Sequence, residues 1–188
     1  MGPTAAVARR HRFDVEAYHR LGETGVLAPD ARVELIEGDI VDMAPIGWRH
    51  AGVVNRLTRL LVIGAGDAAI VSVQNPVRLS RTSEPQPDLM LLVPDMTHAQ
   101  RLPEPADVLL VIEVADATLA YDRAFESGLY ARHGIVETWV VDAQRGSVEA
   151  MRAPRDGRYA ERSVVTAPET LAPVALPALR VRLESLFD

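Results

Sequence analysis

The stretch from Glu84 to Asp116, EPQPDLMLLVPDMTHAQRLPEPADVLLVIEVAD, constrains this chain more than any other. Two apolar runs, DLMLLV and DVLLVIEVA, flank a polar, proline-containing loop. Uninterrupted Leu, Val and Ile of this kind mark strands buried on both faces, so the runs predict the central strands of a covered sheet. One residue breaks the pattern. Glu113 is the only charge between Val108 and Ala115. An ionised carboxylate left unpartnered there would cost several kcal/mol, so it needs a metal, a cation or a raised pKa.

The flanking patterns supply the rest of the fold. Residues 1–12 form a loose tail, and Phe13 to Leu21 has the apolar spacing of a short helix that Gly22 ends. Arg32 to Met43 predicts a hairpin turning at Glu37-Gly38-Asp39. His50 to Ile63 is an amphipathic helix, with Val53, Val54, Leu57, Leu60 and Leu61 on one face and Arg49, Arg56 and Arg59 away from it. Ala69 to Val73 and Pro76 to Leu79 make one strand, bulged at Asn75-Pro76. Tyr121 to His133 is a second helix, with Phe125, Leu129 and Tyr130 facing inward and Gly134 after its end. Glu137 to Asp142 is then a strand parallel to 108–115, because a helix separates the two. Short strand-like pieces follow in a Pro- and Arg-rich remainder. The expected fold is α/β: a mixed sheet with packed helices, one domain over 13–188, and a peripheral β extension over 155–188.

Composition removes several function classes. There is no cysteine, which excludes disulfides, thiolate catalysis and cysteine-bound zinc. Every basic residue is Arg, 20 in all, so no step can use a lysine as base, Schiff-base former or clamp. The net charge of −6 argues against a broad basic surface, leaving any nucleic-acid contact to a local arginine cluster. No apolar run is long enough for a membrane helix or a signal peptide, so the expectation is a cytoplasmic chain with no membrane partner. No GxGxxG, Walker A, HExxH or GxSxG occurs.

If the two apolar runs pair antiparallel, Asp88 at the start of the first lies beside Glu113 near the end of the second. Adjacent carboxylates cannot both stay ionised unaided, and a divalent cation supplies the help. Hard oxygen donors suit Mg²⁺ or Mn²⁺. The alternative is that Asp88 caps a turn and Glu113 pairs with an arginine. Glu34 in the hairpin can approach the same edge or stand exposed. His50 can serve as a base or sit near a helix cap. Gln74 can reach the site from its strand, and Asp122 can cap the second helix.

Taken in order, ELIEGDIVDMAP, RHAGVVNRLTRLL, VQNPVRL, SEPQPDLMLL, DVLLVIEVAD and YDRAFESGLYARHGIVETWVVD resemble the Uma-type putative restriction endonucleases, a former domain of unknown function in the PD-(D/E)XK nuclease superfamily. The resemblance spans roughly residues 13 to 155. It implies a restriction-endonuclease-like core with a divalent metal at Asp88, Glu113 and the Val114 backbone carbonyl. It matches Glu34 to an acid of the family's first hairpin and His50 to a helix-opening histidine. The superfamily lysine would stand at Ala115. In this family it lies on the following helix, four residues before a tyrosine that corresponds to Tyr130, and there the chain has Glu126. Arg123, one helical turn earlier, is the cation left to take some of its electrostatic duty, though an arginine is a poor base. Two functions follow. One is a Mg²⁺- or Mn²⁺-dependent endonuclease on DNA, commonly a homodimer. The other is a catalytically degenerate domain that binds metal, nucleic acid or a protein.

Overall fold

The computed structural model describes residues 10–115 and 128–187. Helix α1 (Val15–Glu23) starts at Asp14, whose carboxylate accepts from the Ala17 amide and satisfies an orphan donor of the first turn. Gly22 lies inside the helix rather than after it. Strands β1 (Val33–Ile36) and β2 (Asp39–Asp42) turn at Glu37 and Gly38, which both take positive φ (49° and 85°). That mirror-image turn matches the strand twist. Arg12, expected in a free tail, instead donates to the Glu37 carbonyl at this turn. Helix α2 (Trp48–Ala65) begins two residues before His50 and runs through Gly64, which packs against Leu179.

Six strands form the main sheet in sequence order: β3 (Ile70–Val73), β4 (Leu89–Leu92), β5 (Val108–Ala115), β6 (Glu137–Asp142), β7 (Ser147–Arg155) and β8 (Arg158–Thr166). The β5–β6 pairing is parallel and the others are antiparallel. The connection across the parallel step ends in helix α3 (residues 128–132), after which Gly134 sits at φ 79°. The first half of the expected second helix, with Phe125 and Asp122, lies outside the described residues.

Alternation along β4 and β5 divides the core. Leu89, Leu91, Leu110 and Ile112 pack with Val53, Leu57 and Leu61 of α2. Met90, Leu92 and Val111 pack on the other side with Leu129 and Tyr130 of α3 and Ile36 of the first hairpin. Each such aliphatic side chain contributes about 1.5–3 kcal/mol by burial. Asp88 shares the parity of Met90, and Glu113 that of Val111. Both acids therefore point toward the hairpin and α3.

Three sequence expectations need correction. The two apolar runs do become neighbouring strands, but the middle of the sheet is β5 with β6. Strand β6 is buried along its whole length although it carries Glu137, Thr138 and Asp142. The expected strand over Pro76–Leu79 does not extend β3. Gln74 turns the chain away at φ 49°, and Val77 and Leu79 instead donate to the Pro85 and Ser83 carbonyls. Proline at 76 has no N–H to give a ladder. The C-terminal remainder is also not peripheral. Strands β7 and β8 extend the main sheet. Leu171 of β9 (Thr170–Leu171), Val181 of β10 (Val181–Arg182) and Leu186 of α4 (Glu184–Phe187) join the α2 side of the core, as do Leu179 and Leu183. Prolines and arginines between these apolar positions mask their contribution in the sequence. Among the described residues no helix is long and apolar enough to cross a membrane.

Candidate metal centre

The β4–β5 register ends with Leu89 opposite Ile112, so Asp88 and Glu113 face one another one step beyond the last ladder pair. There the side chains replace the ladder. The Asp88 amide donates to Glu113 Oε2 at 3.3 Å, and the Val114 amide donates to Asp88 Oδ2 at 2.8 Å. In a strand the N–H and C=O of one residue point to the same side. The Val114 carbonyl thus shares the side on which its amide meets Asp88.

Each carboxylate is oriented by a second group. His50 Nε2 lies 2.8 Å from Asp88 Oδ2. The Tyr130 hydroxyl donates to Glu113 Oε1 at 2.6 Å. Asp88 Oδ1 has no hydrogen bond among the described residues, which leaves one oxygen open. His50 Nδ1 is buried and also lacks a partner among them. Among the described residues the ring's one hydrogen bond is therefore the one to Asp88. Of the two places considered for it from sequence, the one near the helix cap is observed, since His50 lies in the first turn of α2.

Glu34 reaches the same edge from β1, where its Oε2 accepts from the Gln86 amide at 3.1 Å. Burial holds its carboxyl above the usual range; the Gln86 amide works against this, and the Asp88 charge adds to it. Gln74 meets the site through its backbone. Its amide donates to the Asp88 carbonyl at 3.0 Å and its own carbonyl accepts from the Gln86 side chain. Its left-handed φ, sparsely populated for a residue with a Cβ, belongs to that arrangement. Arg123 lies outside the described residues.

A second polar network flanks the first. Glu84 is buried, with His19 Nε2 at 2.6 Å from Oε1 and Arg78 Nε donating to Oε2 at 3.2 Å. Tyr18 is raised by its own burial and then by the charges of Glu84 and Glu34, which puts both acids within its field. Sequence reasoning passed over Glu84, Gln86 and the Tyr130–Glu113 bond. The first two sit in an irregular loop with no periodicity, and the third joins a helix to a strand. Tyr130 alone left a trace, as the tyrosine of the family pattern.

The donor set suits a hard divalent cation in a limited way. Among the described residues no three of His, Asp and Glu are grouped to cage an ion. Two carboxylates with an open oxygen and a strand-edge carbonyl fit a cation such as Mg²⁺, which takes one or two carboxylates and keeps several waters.

The family described as Uma2, "Putative restriction endonuclease", matches residues 15–184. Among solved structures, the chain is similar to the crystal structure of a putative nuclease belonging to DUF820 from Anabaena variabilis. The TM-score is 0.73 at 16% identity, over 93% of this chain and 97% of that one. At this identity the likeness shows the fold alone, a mixed α/β sheet with packed helices. No curated protein matches the chain.

Proposed function

Because the chain belongs to the Uma2 family of restriction-endonuclease-like proteins, we propose that it is a Mg²⁺- or Mn²⁺-dependent endonuclease that hydrolyses DNA phosphodiester bonds. The observation that carries this reading is the meeting of Asp88 and Glu113 at one strand edge, each bonded to the other's backbone neighbourhood. A divalent cation bound there would lower the pKa of an attacking water and polarise the scissile phosphate. Asp88, Glu113 and the Val114 carbonyl would hold the ion. Tyr130 fixes the Glu113 carboxylate and His50 fixes that of Asp88, so neither acid has to reorganise when the site fills. Glu34, raised by burial, is the carboxyl best suited to hold a proton beside the reacting phosphate. Arg123 supplies positive charge in place of the absent lysine. The reading also takes a cytoplasmic homodimer, with one site for each strand.

The absence of lysine from all 188 residues favours a second reading, a degenerate domain that binds without cutting. Plasmid and short-duplex cleavage with Mn²⁺ decides between them. Wild type should cut and Asp88→Ala should not; equal metal-dependent cutting by both would overturn the endonuclease assignment. Binding without cleavage, with activity appearing in Glu126→Lys, would establish the degenerate reading.

A further inference from the structure

The exposed face of α2 carries chemistry that the carboxylate site does not use. Trp48 is 79% exposed, the most exposed large hydrophobic side chain among the described residues. The Arg49 guanidinium lies 4.9 Å from its ring centroid. Trp48, Gly52, Asn55 and Arg59 follow one another at helical spacing and form a straight stripe about 16 Å long at 1.5 Å per residue. Gly52 keeps the middle of that stripe flat, with only the Arg56 guanidinium within 4 Å of where a Cβ would stand.

The charge on this helix is one-sided. Its 18 residues hold Arg49, Arg56 and Arg59 and no acid, in a chain of net charge −6. Arg56 Nε is engaged by the Leu186 carbonyl at 2.7 Å. Arg49 and Arg59 form no ion pair or hydrogen bond among the described residues. The helix begins at Gly47 with no side-chain cap, which leaves first-turn amides for an anion. His50, in that same turn, grips Asp88 and so ties the stripe to the carboxylates.

Resting on the nuclease reading above, the geometry points to a substrate class: nucleic acid with an unpaired nucleotide, stacked on Trp48, its phosphates running along Arg49 and Arg59. An aromatic ring standing free of the surface stacks on a base only when that base is out of its duplex stack. Arg49 covers one ring face and leaves the other for the base. The charge pattern selects nucleic acid over a second copy of the chain. A two-fold contact through this stripe would set the arginines of one copy against those of the other with no acid between them, a like-charge opposition.

The chain contains its own probe, since its other tryptophan, Trp139, is 1% exposed. Emission is followed in EDTA, where nothing is cut, during titration with single-stranded oligothymidylate or with the dA·dT duplex. The single strand should quench Trp48 and bind about tenfold tighter than the duplex, the share that one stacked base supplies. Arg49→Ala/Arg59→Ala should weaken it about tenfold and flatten its salt dependence. Trp48→Phe should leave a silent Trp139 and an unchanged denaturation midpoint. Absent quenching, equal response to duplex and single strand, or Trp48-dependent dimers in sedimentation would each overturn the inference. A parallel cleavage assay separates the two claims. Cutting without quenching ends this inference and spares the nuclease reading, and quenching without cutting does the reverse.

Discussion

Replacing Glu137 by Gln removes one charge and almost no volume from the most deeply buried carboxylate described, 0% exposed on β6. Three donors converge on it. Oε1 accepts from Trp139 Nε1 at 2.8 Å and Arg152 Nε at 2.7 Å, and Oε2 accepts from the Val174 amide at 2.6 Å. A glutamine offers one oxygen and one NH₂, so in either orientation at least one donor meets another donor. Arg152, only 27% exposed, also loses its countercharge. Removing one member of such a pair costs about 3–5 kcal/mol. At 2–4 °C per kcal/mol for a chain of this size, that is a fall in Tm of roughly 6–20 °C. Urea denaturation with m-values compared gives the free energy directly. Glu149→Gln is the control, because its 3.5 Å pair with Arg162 is exposed; surface pairs are worth at most about 1 kcal/mol. A Glu137→Gln loss no larger than the control, at unchanged m, would refute the view that this network fastens the C-terminal segment to β6.

Three further outcomes follow from the described contacts. Burial pushes the Tyr159 phenol up to about 12, against about 10 unfolded, so its contribution is full below pH 10 and lost as pH rises toward 12. Denaturation between those values should show wild type losing about 2 kcal/mol relative to Tyr159→Phe; parallel pH curves would contradict the shift. Glu34 is likewise raised, so it favours the fold when protonated and that contribution is lost as pH rises through its folded pKa. In metal-free buffer Glu34→Gln should therefore gain stability relative to wild type at pH 7 and lose that gain in acid, read from denaturation midpoints at both. His50→Ala should weaken Mn²⁺ binding about ten- to a hundredfold, as removal of an orienting group does, with part recovered in His50→Gln; an unchanged titration would remove His50 from the site.

The main features of the fold were legible where a residue's context was local. Glu113 stands out because no other charge shares its run, and Asp88 follows because an antiparallel register sets the start of one run against the end of the next. The hairpin at Glu37-Gly38 and the parallel step to β6 are readable for the same reason. What sequence could not supply is which charge has a partner. Glu137 sits among residues as apolar as those around Glu113, yet its carboxylate is satisfied from Trp139, Arg152 and Val174, the last 37 positions away. An isolated buried acid therefore marks a cost to be met, and only tertiary structure says whether protein or ligand meets it. His50 illustrates the same limit. Its helix was readable, but its grip on Asp88 spans 38 positions. In the C-terminal part, the strand-like alternation around Val148 and Ala150 was readable, but not that its strand joins the main sheet beside β6, a pairing that only tertiary structure supplies.

The central claim is that Asp88 and Glu113 together hold a divalent cation. Calorimetric titration with Mn²⁺ of wild type, Asp88→Asn and Glu113→Gln tests it most directly, beside denaturation curves showing that all three fold. One ion per chain should bind to wild type, and each substitution should weaken it at least about tenfold, since a two-carboxylate site loses half its charged ligands. Mn²⁺ affinity equal in all three proteins, or absent from folded wild type, would contradict the account.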